Sequence, residues 1–211
     1  MIFETINAAA RANALVIMGG FHPALEENIG QTILLFGPQQ PDFWPTFTAS
    51  PEYTDGSSDP LDRWSTRVIT ALAADLGAQV LFPFGGPPFQ PFIAWAKRTG
   101  RAWQSPVGLL IHDTAGLMVS YRGALVFTQH IALPATGNSP CTTCPAPCRT
   151  ACPVGALTPD GYDVAGCKAH ITTPAGNDCI GSGCAARRAC PVSQSYGRDP
   201  AQSEFHMRAF V

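Results

Sequence analysis

Eight cysteines fall in the last third of a 211-residue chain, and none occurs before position 141. The first four read Cys141-x2-Cys144-x3-Cys148-x3-Cys152-Pro153. The rest are Cys167, Cys179, Cys184 and Cys190, the last again followed by Pro. Thiols in this arrangement could form disulfides, hold zinc, act as nucleophiles or carry iron–sulfur clusters. The first run differs from the bacterial ferredoxin pattern C-x2-C-x2-C-x3-C-P by one residue inserted before Cys148. Short spacings suit a cubane, because three thiolates from one loop must wrap it while backbone N–H groups point at its sulfurs. Eight thiolates are the number two [4Fe-4S] clusters need, one per iron.

In two-cluster ferredoxins the fourth cysteine of the run ligates the other cluster. The same exchange assigns Cys141, Cys144, Cys148 and Cys190 to one cluster here. It leaves Cys152, Cys167, Cys179 and Cys184 for the second. Zinc is the alternative, in two sites of four thiolates, but zinc ribbons favour paired C-x2-C knuckles and only one such pair occurs. Arg149, Arg187 and Arg188 stand among the cysteines. They could offset cluster charge and raise its potential, receive an acidic partner, or simply face water.

The rest of the chain must position these groups. Apolar residues make up 45% of it, enough for a sizeable core, while Gly and Pro number 20 each and imply many loops between short elements. A net charge of −2 argues against a nucleic-acid partner. No segment reaches the roughly 18 apolar residues of a membrane span, and no secretory leader is apparent. The expectation is a cytoplasmic protein, where thiols stay reduced and disulfides are rare.

The stretch LPATGNSP, 133–140, reads as a joint between residues 1–135 and 136–211. Before it, helical and strand signals alternate: a helix over 3–12, strands at 14–18 and 32–36, a strand at 80–84, a helix at 91–99, and strands near 107–112 and 123–131. The strongest helix begins at Asp59 as N-cap, with Pro60 in the first turn. Leu61, Trp64, Val68, Leu72 and Leu76 then form one face, and Gly77 supplies the stop. Trp44, Trp64, Trp95 and Trp103 are assigned to the core of this first region. The C-terminal residues 202–210 read as a packing helix.

The C-terminal third resembles the double-cubane module of the epoxyqueuosine reductase and reductive dehalogenase group. The residues that carry the likeness are CTTCPAPCRTACPVGAL, GCKAHITTP around Cys167, and GCAARRACPV ending past Cys190. Upstream, GLLIHDTAGLMVSYRGALVFTQHIAL is similar to a strand, Gly-containing turn and second strand that precede the clusters in those families. The resemblance covers roughly residues 80–200. It implies an α+β protein: a nitroreductase-like α/β layer, then a ferredoxin-type domain with two clusters.

It further implies a cobalamin held at the domain interface, with Gly85 and Gly86 contributing backbone and His112, Tyr121 and Arg122 as candidate contacts. Histidine is the usual protein ligand to cobalt or iron, and reductive dehalogenases pair a proton-donating Tyr with a basic neighbour. The chain departs from the family at FGGPPFQPF, 84–92. No acidic residue stands there, where epoxyqueuosine reductases place a general acid. The reading is therefore an electron-transfer protein serving a redox partner and, as candidate acceptor, a corrinoid. Its alternative is a corrinoid-dependent reductase or a cobalamin reductase.

Overall fold

The computed structural model describes residues 2–211 as a mixed α+β fold with small antiparallel sheets. In chain order the elements are α1 (Phe3–Arg11), β1 (Leu15–Phe21), β2 (Thr32–Pro38), α2 (Phe43–Thr48), α3 (Pro51–Thr54), α4 (Pro60–Leu76), β3 (Gln79–Leu81) and α5 (Phe92–Arg98). Then come β4 (Ala102–Gln104), β5 (Leu110–His112), β6 (Gly123–Phe127), α6 (Cys148–Ala151), β7 (Leu157–Thr158), β8 (Gly161–Tyr162) and α7 (Val164–Ile171). The chain ends with α8 (Asn177–Ser182), α9 (Ala185–Arg188), α10 (Pro191–Ser195) and α11 (Pro200–Phe210). No helix among the described residues is long and apolar enough to cross a membrane.

Two compact units emerge: residues 1–101 with 120–137, and residues 102–119 with 138–211. The later crossing lies between residues 137 and 138. Residues 102–119, however, leave the first unit, and Trp103 goes with them.

In the first unit four strands lie in the order β1-β2-β6-β3, each antiparallel to its neighbour. The central pair is buried along its length, which is why ILLF and ALVF run apolar rather than alternating. Ile33 faces Val126 and Leu34 faces Leu125 across it. A register shift interrupts β1 between Ile17 and Gly19. Gly19 takes φ +139°, and a Cβ there would lie 2.7 Å from the Thr99 side chain just past α5, so the bulge requires glycine.

Helix α4 buries Leu61, Trp64, Val68, Ile69 and Leu72, as its spacing predicts. Its N-terminus differs from expectation. Asp59 adopts a left-handed conformation (φ +51°) and makes no side-chain cap; its carbonyl instead accepts from the N–H groups of Asp62 and Arg63. Trp64 meets Phe43 edge-on at 5.3 Å and Phe47 at 6.1 Å, fastening α2 to α4.

The segments 107–112 and 123–131 do not form the adjacent strand pair expected of them. The three-residue β5 pairs with β4 through a turn closed by Ser105 N–H to the Leu109 carbonyl (2.8 Å). Strand β6 finds the longer apolar partner β2. The strand expected at 80–84 likewise shortens to β3, because Pro83 and the Gly85–Pro88 turn end the ladder.

The second unit holds residues 102–119 by specific contacts. The Ser193 backbone fills the space a Cβ on Gly116 would need, and Leu117 N–H donates to Ser193 Oγ at 2.8 Å. Arg187 and Arg198 donate to the carbonyls of Leu117 and Met118. Val107, Ile111 and Leu117 then share one core with Cys148, Leu157, Ala186 and Cys190.

Candidate metal centre

The loop before α6 delivers three thiols in eight residues. Cys141 N–H reaches Ser139 Oγ at 3.3 Å, and Cys144 N–H bonds the Cys141 carbonyl at 3.3 Å. Ala146 turns the chain with φ +55°, a left-handed conformation unusual for alanine, and aims its N–H at Cys144 Sγ (3.4 Å). Pro147 and Cys148 then start α6, with Cys148 buried. The fourth thiol comes from far along the chain. Cys190, also buried, stands at the N-terminus of α10, where Pro191 occupies the first helical position.

Cys141, Cys144, Cys148 and Cys190 line one cavity of about 230 Å³, walled by apolar groups that include Ile111 and Leu117. A single water-sized sphere needs only about 10–15 Å³, so the space suits a polyatomic group. Burial raises the pKa of Cys141, a bond with Ser139 opposes this, and proximity of Cys144, Cys148 and Cys190 raises it further. Burial and then Cys190 likewise raise Cys148. Cys141 and Cys148 therefore resist ionisation, an obstacle that a bound cationic metal would remove by deprotonating them.

The other four cysteines lie among the short helices that follow. Burial raises the Cys179 pKa, the N–H of Ala185 lowers it, and nearby Cys184 raises it again. The Tyr162 hydroxyl is pushed upward first by burial, then by its bond with Cys167 and by Cys184 close by. Cys152 Sγ accepts the Ala156 N–H at 3.3 Å, a third N–H···S contact beside those at Cys144 and Cys179.

No disulfide joins any of the eight. Among the described residues no three His, Cys, Asp or Glu side chains converge as ligands of a single ion. A tetrahedral zinc, with bonds of about 2.3 Å, holds its sulfurs only about 3.8 Å apart. A cluster with one thiolate on each of four irons holds them wider.

The remaining candidates divide between the units. His112 belongs to the second, fully buried, with Nδ1 3.2 Å from the N–H of Thr114 and 3.3 Å from that of Ala115. The ring thus closes the 112–116 turn, which is a structural duty. Gly85, Gly86, Tyr121 and Arg122 belong to the first. Gly85 is exposed and left-handed (φ +83°), whereas a Cβ on Gly86 would lie 2.8 Å from Phe89. The Arg122 guanidinium sits 5.8 Å from the Phe84 ring centroid and donates to Asp62 Oδ1 at 3.1 Å, while its buried Nε has no partner. Burial dominates this pair: it lowers the Arg122 pKa and raises that of Asp62, although each charge favours the other's.

Of the cationic side chains near the cysteines, Arg149 is exposed and Arg188 is ion-paired with Asp178. Arg187 is half-buried and fixed on the Leu117 carbonyl at 2.6 Å. Arg198, which no motif singles out, is mostly buried nearby. Its pKa falls to about 10, through burial first and then the like charge of Arg187. Comparison with protein-family models, curated proteins and solved structures finds no match for this chain.

Proposed function

We propose that this chain is an electron-transfer protein carrying two [4Fe-4S] clusters in its second unit. Cys141, Cys144, Cys148 and Cys190 hold one; Cys152, Cys167, Cys179 and Cys184 hold the other. The observation that carries this reading is the cavity where four thiols from two distant segments meet without a disulfide. Three further N–H···S contacts support it, because a thiolate that accepts a backbone N–H is stabilised as the ionised form the metal needs.

Each cluster, when bound, stores and passes one electron. The protein's own part is to exclude water with Ile111 and Leu117, fix the sulfurs through the Ala146 turn and α10, and set the local charge. The second unit is then a ferredoxin-type module in a cytoplasmic protein, and its donor or acceptor is a redox partner. The first unit, read as nitroreductase-like, offers the Phe84–Gly86 turn and Arg122 to a small acceptor, for which we propose a corrinoid.

Anaerobic purification followed by iron, sulfide and zinc analysis tests the reading. About eight irons with matching acid-labile sulfide per chain are expected. Stoichiometric zinc without sulfide would replace the clusters with a structural metal.

A further inference from the structure

We infer that Arg187 and Arg198 form a fixed cationic pair, unmatched by any carboxylate among the described residues, that sets the charge and so the reduction potential of the Cys141–Cys144–Cys148–Cys190 centre. The inference rests on the cluster reading above and assigns Arg198 a role the sequence did not suggest.

The two guanidiniums are anchored side by side. Arg187 Nη1 donates to the Leu117 carbonyl at 2.6 Å and Arg198 Nη1 to the adjacent Met118 carbonyl at 3.1 Å. Among the described residues neither forms an ion pair, and the buried Nε of Arg198 has no hydrogen-bond partner. The contrast with Arg188 is informative, since Asp178 already neutralises it. Arg149 acts on Cys148 but is exposed, so water and salt screen its charge.

Two like charges held together under cover are costly unless an anion offsets them. The cysteine centre is a nearby source of negative charge once its thiols are ionised. Leu117, which Arg187 holds, lines that cavity, and the Cys190 N–H bonds back to the Arg187 carbonyl at 3.4 Å. Four thiolates bring four negative charges, which the iron and sulfide core offsets only in part. Reduction adds one more electron to that centre and moves no proton. A fixed cationic pair therefore favours the reduced form more than the oxidised one and raises the potential.

The test is a redox titration of the anaerobically prepared full chain, followed by electron paramagnetic resonance. Arg187→Gln keeps a donor for the Leu117 carbonyl but removes the charge. It should lower the potential of one cluster so that its reduced fraction at fixed ambient potential falls about tenfold, or about 59 mV for one electron. Arg198→Gln should shift the same cluster in the same direction, and Arg198→Lys, which retains the charge, should restore most of the shift. The difference should persist in about 1 M salt, where exposed charges are screened within about 3 Å. Arg149→Gln should produce no shift under those conditions.

Full iron and sulfide with unchanged potentials in Arg187→Gln and Arg198→Gln would overturn the inference and leave the clusters standing. A wild-type chain without iron and sulfide would overturn the cluster reading and this inference with it. Should Arg187→Gln fail to assemble, the Arg198→Gln and Arg198→Lys pair decides the matter by itself.

Discussion

Cys190 lies beside Cys148 on the wall of one apolar cavity, each among the most buried thiols of the chain. The contact closes a long loop of sequence, so it depends on α10 docking against the core that holds α6. Removing Cys190 should leave three thiols and an open corner. Cys190→Ala is therefore expected to cost the cluster built on Cys141, Cys144 and Cys148, about four of roughly eight irons. Cys152→Ala should cost the other four. Electron paramagnetic resonance of the two reduced variants should show complementary losses. Loss of the same signal from both would refute the exchange between clusters.

The Ala146 turn offers a second test, because the residue whose N–H reaches Cys144 Sγ holds a left-handed conformation. That conformation costs an L-residue roughly 1–2 kcal/mol, while glycine adds an entropy cost of roughly 0.5–1 kcal/mol. Ala146→Gly should therefore be close to neutral, within about 1 kcal/mol. Ala146→Val, β-branched at positive φ, should destabilise by about 2 kcal/mol. Thermal bleaching of the cluster absorbance would compare them. Faster bleaching in the glycine variant than in the valine variant would contradict the geometry.

Acid should act on the first unit through Glu52. Arg67 grips this carboxylate with Nε at 2.5 Å and Nη2 at 2.9 Å, and those bonds hold its pKa down to about 2 against an ordinary 4.5. A depressed carboxylate contributes stability that is present above the unfolded pKa and is lost as pH falls through the folded one. Amide exchange in α3 and α4 should thus be slower in wild type than in Glu52→Gln above about pH 4.5. The difference should shrink progressively toward pH 2. An undiminished difference at pH 2 would show that the fork is not its source.

Some of this architecture was readable from residue order and some was not. Leu61 to Leu72 announce α4 because burial repeats with the helical period. TILLF announces a strand but not its neighbours, since an apolar run buried on both faces carries no register information. The exchange of residues 102–119 into the second unit was hidden. It depends on Gly116 meeting the Ser193 backbone and on two arginine–carbonyl bonds, contacts with no local signature.

The cysteines were legible through their spacing alone. Arg149, Arg187 and Arg188 look equivalent in a linear reading. They separate only when Asp178 pairs with one, water takes another and a carbonyl fixes the third. Ala146 carries no such signal, because neither Gly nor Asn marks its left-handed turn.

The corrinoid proposal for the first unit is the most exposed prediction. Arg122 combines an unpartnered buried Nε, a bond to Asp62 and a nearby Phe84 ring. The left-handed Gly85 beside Phe84 presents open backbone. An aromatic ring, a cation and accessible peptide groups together suit a flat macrocycle bearing a phosphate arm. Hydroxocobalamin at about 100 μM should therefore perturb the visible spectrum of the cluster-loaded chain, given the micromolar affinity of a roughly −8 kcal/mol interaction. Arg122→Met should weaken that binding about tenfold or more. It should leave iron content unchanged, because Arg122 belongs to the unit without the cysteines. Absence of binding in wild type would leave an electron carrier whose acceptor is a protein rather than a corrinoid.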